Sequence, residues 1–349
     1  MMSFEDLIQT VRSGEWIQFY SDNICYKFLA SEKFIGKLNL LDLKSKTKPL
    51  SLVLTRNRLS ALDHLGSFGE DAQFSIVDLS PDYLQFLIDP LSNSFDIAEF
   101  PLSLKPLNPD LKLILRLIKS SKLLPTYLFC ETEFNPNMPL IDVDTLNKQL
   151  NFTNLILERV SEVRVPISQT DNALFIAFRP SGGGQEHIAI IIGDSLLSHT
   201  PLVRVHSECF TGDLFSSLRC DCGSQLKGAI EMMCKNQNGI LIYLAQEGRG
   251  IGLVNKLRSY QLQDQGVDTI DANLALGFEA DERNYFVASQ ILKSLKVNAI
   301  KLLTNNPEKV KALEDLGVEV IERVAHVFPS NPFNQKYMNT KKTKSGHFV

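Results

Sequence analysis

Apolar residues in the second half of the chain form short continuous runs separated by stretches with helical periodicity. Four runs have the length of buried strands: residues 173–178, 187–194, 239–245 and 299–304. The last run is followed at once by NNPEKVKALEDLG. There Asn306 is the expected N-cap, Pro307 the first helical residue and Gly317 the residue past the end. Strands alternating with helices predict an α/β fold.

The first half has a looser pattern of the same kind. FEDLIQTVRSG spaces its apolar residues along one helix face and ends at Gly14. Residues 50–55 and 74–79 are predicted strands, and LKLILRLIKSSKLLP a helix that stops before Pro125. A Pro/Asn-rich stretch at 134–139 is expected to begin a linker. At about 150 residues per domain, the 349 residues predict two mixed α/β domains, 1–150 and 151–349.

Composition narrows the class of protein. Hydrophobic residues make up 44% and charged residues 22%, and the net charge of −4 argues against a nucleic-acid-coating protein. No apolar run is long enough to cross a bilayer, so no membrane partner is expected. The N-terminus has early acids and no apolar signal core, which predicts a cytoplasmic protein. Its six cysteines are then expected to be free thiols or metal ligands.

The stretch RVHSECFTGDLFSSLRCDCG carries the main candidate for chemistry. It places Cys209, Cys220 and Cys222 close together in the chain, and thiolates bind Zn²⁺ well. A structural finger needs four ligands, whereas three leave one position for water, as in a catalytic zinc site. His206 is either a fourth ligand or a substrate contact. The alternative is a loop of ordinary small residues, which the neighbouring Glu208, Asp213 and Arg219 make less attractive.

Two glycine-rich or capped turns are candidate ligand sites. QEGRGIG, between a strand and a helix, lacks the G-x-G-x-x-G spacing of dinucleotide folds. Glu247 suits the N–H edge of guanine and Arg249 suits a phosphate, although a tight turn with a surface ion pair explains them equally well. TNNPEKV places Thr304 and Lys309 at a strand end and helix start, which favours either a phosphate site or simply a well-capped unit.

A further acidic stretch, GFEADERNYF, precedes a predicted helix. Its Asp281 and Arg283 are candidates for a base and a cation beside a reacting centre. A solvated helix start rich in acids is the ordinary explanation.

From about residue 158 onward the chain closely resembles GTP cyclohydrolase II, the first committed enzyme of riboflavin biosynthesis. The matching pieces are RVHSEC, TGD, SLRCDCG, QEGRGIG, LQDQG, DTIDAN, LGFEADERNY and LLTNNPEKV. They follow one another in the order and spacing of that family. The resemblance implies the GTP cyclohydrolase II fold for residues 151–349.

The resemblance implies hydrolysis of GTP at C8 and at the α–β phosphate bond. The products are 2,5-diamino-6-ribosylamino-4(3H)-pyrimidinone 5′-phosphate, formate and diphosphate. It also implies one Zn²⁺ per subunit on Cys209, Cys220 and Cys222, Mg²⁺ with the triphosphate, and a homodimer. The implied GTP contacts are Arg204, Val205, His206, Ser207, Glu208, Gln225, Glu247, Gly248, Arg249, Thr269, Thr304 and Lys309.

Three further residues match catalytic positions of the family. Asp281 matches its proton acceptor, Arg283 its nucleophile, and Tyr260 a residue used near the zinc. A guanidinium is protonated at neutral pH, so Arg283 either needs a nearby base or acts by stabilising the transition state.

The segment ahead of this region resembles 3,4-dihydroxy-2-butanone 4-phosphate synthase only distantly, through SLVLTRNRLSAL. The synthase holds Mg²⁺ with an acidic cluster, whereas this segment offers only Asp22 and Glu32 there, too few for such a site. Residues 1–150 are therefore predicted to be a divergent, noncatalytic domain with a structural or regulatory role. Two alternatives stay open: a bifunctional enzyme with synthase activity, and a non-catalytic GTP-binding protein.

Overall fold

The computed structural model describes residues 2–34, 49–62, 69–77, 79–92, 102–151 and 155–346. They form two compact units, each of which contains a seven-stranded sheet built from the described strands. Unit 1 is Met1–Asn154 with Val254–Glu282, and unit 2 is Leu155–Leu253 with Arg283–Val349. Two separate sheets with helices confirm the predicted fold class of two mixed α/β domains. The functional division after residue 150 stays a prediction. Within the described ranges, no helix is both long and apolar enough to cross a membrane.

The strands and helices are numbered along the chain. The strands are β1 Ile17–Ser21, β2 Ile24–Ala30, β3 Ser51–Leu54, β4 Ala72–Ser75, β5 Lys105–Pro106, β6 Thr126–Glu131, β7 Leu140–Ile141, β8 Leu157–Ile167, β9 Thr170–Pro180, β10 His187–Gly193, β11 Leu202–Ser207, β12 Asn238–Leu244, β13 Ala299–Leu303 and β14 Glu319–Val324. The helices are α1 Phe4–Ser13, α2 Arg56–Ala61, α3 Pro81–Ile88, α4 Pro109–Ser120, α5 Val143–Leu150, α6 Phe210–Asp213, α7 Cys222–Asn236, α8 Leu253–Asp264, α9 Thr269–Ala275, α10 Phe286–Ser294, α11 Pro307–Asp315 and α12 Gln335–Ser345.

Unit 1 is built on a sheet in the order β5-β4-β3-β6-β2-β1-β7. Its pairs are antiparallel except β1 with β7. Helix α1 ends as predicted at Gly14, whose φ of 80° lies in the left-handed region. Helix α4 stops at Ser120, earlier than predicted, because Lys122 adopts a φ of 59°. Both predicted strands are present as β3 and β4, and residue 78 of the second prediction lies outside the described residues.

The stretch 134–139 is not a linker between the units. It joins β6 to β7 inside unit 1 and is tied to the buried side chain of Gln18. The Gln18 amide donates to the Asn135 carbonyl at 2.8 Å, and its oxygen accepts from the Asn135 N–H at 2.8 Å. A buried amide needs such partners, which explains why this loop is held although its composition suggested a break.

Unit 2 has a sheet with a parallel half and an antiparallel half. Its order is β14-β13-β11-β12-β10-β9-β8, and the four strands predicted for this region are confirmed as parts of β9, β10, β12 and β13. Strands β12, β11, β13 and β14 run parallel, so their carboxyl ends meet at one edge. Helices α10 and α11 pack on one face of the sheet and α7 on the other.

Helix α11 begins and ends as the sequence predicts. The Asn306 side chain accepts from the Glu308 N–H, Pro307 is the first helical residue and Gly317 has a φ of 83°. This places the N-terminus of α11 directly after β13, at the carboxyl edge of the parallel strands.

Candidate active site

The carboxyl edge of the parallel strands in unit 2 collects buried ionisable side chains. Arg204 and His206 lie on β11, Glu247 follows β12, and Lys309 lies on α11 after β13, all at most 9% exposed. Burying charged groups is costly, and proteins accept that cost mainly at functional sites. In open α/β sheets this edge is also where ligands bind.

Three thiols converge beside this edge. The sulfur atoms of Cys209, Cys220 and Cys222 all lie within 4.8 Å of one another, and those of Cys209 and Cys220 are 3.7 Å apart. None of the three takes part in a disulfide. A Cβ atom added at Gly212 would lie 2.9 Å from the Cys220 sulfur and 3.0 Å from that of Cys209. The trio therefore requires glycine at this position in the TGD motif.

The donor set fits a soft divalent cation. The hydrogen bond with Cys209 raises the pKa of Cys220 to about 11 and raises that of Cys222 well above its usual range. Three adjacent thiols resist collecting negative charge unless a cation compensates it, and metal binding to thiolates supplies that compensation. Cys209, Cys220 and Cys222 are therefore the residues that would hold the Zn²⁺ expected from the sequence.

Asp213 organises the groups beside the trio. Its carboxylate accepts from the Cys209 N–H at 3.0 Å, from the Tyr243 hydroxyl at 2.9 Å and from His206 Nε2 at 3.1 Å. The His206 ring stacks on Tyr243 with centroids 5.6 Å apart. Burial lowers the pKa of His206, which favours the neutral ring. Because its Nε2 is directed at Asp213, His206 belongs to this hydrogen-bond network and is not oriented as a fourth metal ligand beside the three thiols.

Arg204 links β11 to helix α7. Its guanidinium donates to the Gln225 side-chain oxygen and, at 3.2 Å, to the Leu303 carbonyl. The Gln225 amide in turn donates to Asp221 at 2.6 Å. Burial lowers the pKa of Arg204 to about 10. Its buried Nε has no hydrogen-bond partner in the part of the chain that the structure describes, so one charged donor is available for a ligand.

The QEGRGIG turn fixes a buried carboxylate. Glu247 accepts from the Phe210 N–H at 2.6 Å and from its neighbour Gly248 N–H at 2.7 Å, one bond on each oxygen. Gly248 and Arg249 have φ values of 64° and 60°. Glycine adopts that left-handed backbone freely, whereas Arg249 holds it at a cost on the order of 1 kcal/mol. This strained turn, and not a dinucleotide loop, explains the alternate glycines.

Two cations lie against one aromatic ring at the start of α10. The ring of Tyr285 is 5.5 Å from Lys309 Nζ and 5.8 Å from the Arg283 guanidinium. Lys309 also donates to the Val205 carbonyl at 2.8 Å. Thr304 takes part in the turn before α11, where its hydroxyl oxygen accepts from the Asn306 N–H at 3.1 Å.

Not every residue predicted to contact the ligand faces this network. The Val205 side chain is fully buried in the core of unit 2, so its predicted contact concerns the backbone only. The Ser207 hydroxyl is buried without a hydrogen-bond partner among the described residues. Glu208 is anchored through its N–H to the Leu244 carbonyl at 2.8 Å.

Three predicted residues belong to unit 1. Tyr260 lies on α8 with Lys256 Nζ 5.9 Å from its ring centre. Thr269 is the first residue of α9, which is capped by the Asp268 side chain. Asp281 lies in the loop after α9. The roles of these three residues stay predictions.

Sequence reasoning missed Tyr243 and His326. His326 is buried, donates from Nε2 to the Gln225 carbonyl at 2.7 Å, and pairs through its backbone with Asn305. It lies just beyond β14, so the rule that points to carboxyl ends of parallel strands would have found it. Tyr243 sits within an apolar strand, and only the strand's alternation identifies the face it shares with His206.

The similarity to known proteins covers the part of the chain that holds this edge. The GTP cyclohydrolase II family model matches residues 158–325. A GTP cyclohydrolase-2 from Hamiltonella defensa is 52% identical over 192 residues, 97% of that protein and 55% of this chain. One from Escherichia coli O45:K1 is 48% identical over 194 residues, 98% of that protein and 55% of this chain.

Two further similarities are more limited. A GTP cyclohydrolase-2 from Azospirillum brasilense is 56% identical over 191 residues, which are 55% of this chain and only 50% of that protein. A two-domain 3,4-dihydroxy-2-butanone 4-phosphate synthase from A. baumannii, RibBX, aligns over 94% of this chain and 100% of that one, with a TM-score of 0.33 and 14% identity. That last likeness is too weak to carry an argument. Identity near 50% over almost the whole length of two relatives shows that this chain belongs to the GTP cyclohydrolase II family.

Proposed function

We propose that the chain hydrolyses GTP in a zinc-dependent reaction to formate, diphosphate and 2,5-diamino-6-ribosylamino-4(3H)-pyrimidinone 5′-phosphate, the first step of riboflavin biosynthesis. The observation that carries the proposal is the convergence of three thiols next to buried, oriented polar groups in a chain of this family. C8 of guanine is a poor electrophile, so water needs activation there.

The thiol trio would hold the Zn²⁺. When bound, the metal supplies Lewis-acid chemistry toward water and the purine ring. The chain's own contribution is to keep the three sulfurs in place: Asp213 secures the Cys209 backbone, and Gly212 leaves the space that the sulfurs occupy. Sulfur ligands donate much charge, so a helping base is reasonable. The family resemblance assigns that role of proton acceptor to Asp281.

Glu247 is proposed to recognise the guanine base through hydrogen bonds. Each carboxylate oxygen accepts one backbone N–H, which fixes the carboxylate in the turn, and a carboxylate held in this way has the acceptor chemistry that suits the N–H and NH₂ groups of a guanine edge. Orientation by two N–H donors means that little entropy is lost on binding. The neighbouring Gly248 lets a ligand approach the turn closely.

Positively charged side chains are proposed to bind the triphosphate of GTP. Lys309 and Arg249, with the Mg²⁺ that accompanies the triphosphate, would offset the charge that opposes attack at phosphorus. Arg283 is proposed to act at the phosphate, and its protonated guanidinium favours transition-state stabilisation over attack. The residues proposed to complete the GTP contacts are Arg204, Val205, His206, Ser207, Glu208, Gln225, Thr269 and Thr304.

The test uses the full chain, loaded with zinc, and offers GTP with Mg²⁺. Formate and diphosphate are measured together with the pyrimidine product. Formate release supports the proposal, and its absence with zinc fully bound would reject it. Tight GTP binding without turnover would support a non-catalytic GTP-binding protein instead. A parallel incubation with ribulose 5-phosphate tests the bifunctional alternative.

We also propose a homodimer in the cytoplasm. The family resemblance supports the dimer, and free cysteines suit a reducing compartment. Sedimentation equilibrium measures the first, and fractionation of cells that produce the tagged full chain measures the second.

A further inference from the structure

The segment Val254–Glu282 belongs to unit 1, although its sequence lies inside the region matched by the family model. It carries Tyr260, Thr269 and Asp281, three residues that the proposed function uses. The described part of residues 1–154 therefore forms one compact unit with a segment assigned to catalysis. We infer that the amino-terminal region positions this segment, and in particular the loop with Asp281, for GTP hydrolysis.

Three consecutive residues at the start of α2 hold the end of α9 and the loop that follows. Arg58 donates to the Ala275 carbonyl at 3.2 Å, Asn57 donates to the Phe278 carbonyl at 2.8 Å, and Arg56 approaches Glu279 at 3.4 Å. These pairs are 217 to 223 positions apart in the chain. These residues lie within SLVLTRNRLSAL, the piece of the sequence that resembles the synthase, and here they hold a loop.

The close approach at Gly277 fixes the path of this loop. Gly277 has a φ of 89°, and a Cβ atom there would lie 2.9 Å from Pro125 and 3.0 Å from the Thr55 hydroxyl. The loop therefore turns sharply against residues from two separate parts of the amino-terminal region. A side chain at this position would be both strained and crowded.

Lys119 secures the other end of the loop. Its ammonium lies 2.7 Å from one carboxylate oxygen of Glu282, and that same oxygen accepts from the Glu279 N–H at 2.9 Å. Both side chains are about one-fifth exposed, so the pair is only partly screened. The bond closes residues 279–282 into a turn, and Asp281 lies inside it.

A second set of contacts holds helix α8, which carries Tyr260. Arg258 donates to one oxygen of Glu32 at 3.0 Å, and the Leu124 N–H donates to the other at 2.7 Å. Asn255 donates to the Lys122 carbonyl at 2.9 Å. Glu32, one of the two acids that could not build a synthase metal site, therefore serves as an anchor for this helix.

Lys119 and Asn57 are positioning residues in this inference, which rests on the proposed function. We expect K119M and N57A to lower kcat for formate release about tenfold each, because misplacing a reacting group by about 1 Å can cost more than that. KM for GTP should change less than about twofold, since Glu247, Arg249 and Lys309, which are proposed to bind the base and the phosphates, belong to unit 2. K119R keeps a cation opposite Glu282 and should recover most of kcat.

The matched control is K112Q. Lys112 lies on the same helix α4 and has an ion pair of its own, 3.6 Å from Glu70, but that pair is within the amino-terminal region. Its kcat should equal that of the unchanged chain. Zinc content, measured for every variant, should also stay constant, because the thiols belong to unit 2.

Amide hydrogen exchange gives a readout that does not depend on activity. In K119M and N57A, exchange of the amides at 276–282 should rise about tenfold or more over K112Q. Unchanged exchange would overturn the inference, and so would faster exchange with unaltered kcat. If the unchanged chain releases no formate, the proposed function fails, whereas the exchange result still decides whether the amino-terminal region holds the loop.

Discussion

The two units use buried ionisable groups in opposite ways. In unit 1, Arg58 is directed into helix ends, where it donates to the carbonyls of Phe86, Leu87 and Ala275. The charge of Arg58 therefore stabilises the structure by satisfying backbone carbonyls. Unit 2 instead gathers its buried ionisable groups around the carboxyl edge of the parallel strands. Among its described residues these groups are Arg204, His206, Asp221, Glu247, Lys309 and His326, with His187 on the neighbouring strand β10.

Strand direction explains much of this difference. Parallel strands bring several carboxyl ends to one edge, so residues far apart in sequence meet there. The sheet of unit 1 is antiparallel apart from the pair of β1 and β7, and its strand ends alternate between edges. Among the described strands, buried ionisable side chains therefore gather at the carboxyl edge of the parallel strands of unit 2.

The largest effect is expected at the thiol trio. C220S should lose bound zinc and formate release together, by at least a hundredfold in rate, because a hydroxyl is a poor replacement for a thiolate ligand. Zinc content by mass spectrometry and formate by coupled assay measure both. C234S, a change of a half-buried thiol on α7 outside the trio, should keep both properties. Formate release from zinc-free C220S would contradict a role for the metal.

A smaller but clear loss is expected from G212A. The added Cβ overlaps two of the three sulfurs, so the trio has to spread and zinc affinity should fall tenfold or more. Competition with a chromogenic chelator measures the affinity. G182A adds the same methyl group where no heavy atom lies within 4 Å and should bind zinc normally. Equal affinities for the two variants would show that the space at Gly212 is not needed.

In unit 1, the largest loss of stability is expected from R58M. It removes three hydrogen bonds from a charged donor to backbone carbonyls, with an expected loss of about 3 kcal/mol in the free energy of unfolding. Urea unfolding followed by fluorescence measures it. R56M changes an exposed neighbour on the same helix and should cost far less. Similar losses in both variants would mean that the buried contacts contribute little.

Acid sensitivity should come in part from His187 in unit 2. Burial lowers its pKa from 6.5 to about 4, while its Nδ1 accepts from the Ala245 N–H at 3.1 Å. The unfolded imidazole takes up a proton near pH 6.5 and the folded one only near pH 4. Its contribution is therefore complete above pH 6.5 and is lost as pH falls toward 4, by on the order of 3 kcal/mol.

The variant H187Q does not titrate and should flatten that part of the pH dependence. Urea unfolding at pH 7.5, 6 and 5 compares it with the unchanged chain. Parallel curves for the two proteins would exclude His187 as a source of acid instability.

The smallest effect is expected from K301Q, on an exposed pair between β13 and β14. Lys301 lies 2.9 Å from Glu322, and both side chains are roughly half exposed. Such surface pairs contribute about 0.5 kcal/mol or less. A loss as large as that expected for R58M would show that this sheet edge depends on charge far more than its exposure suggests.

Local features of the chain were predictable because they depend on nearby residues. The cap at Asn306, the proline at 307 and the glycine at 317 define α11 through contacts within a few positions. The apolar runs identified β10 and β12 because buried strands need continuous hydrophobic sequence. The contacts of Glu32 with Arg258 and of Arg58 with Ala275 were not predictable in this way, since the partners are 226 and 217 positions apart.

The amino-acid sequence by itself determined the family, the cysteine trio as a candidate metal site and the existence of two α/β regions. Motifs and hydrophobic periodicities depend on residues that are close together in the chain, so they can be identified without the structure. Only the tertiary structure decided that Val254–Glu282 joins the amino-terminal region in one compact unit, and that Asp213, Tyr243 and His206 form one network. The physical reason is that side-chain packing and the hydrogen bonding of buried polar groups join residues far apart in the chain. A local sequence pattern does not indicate which distant residues will be in contact.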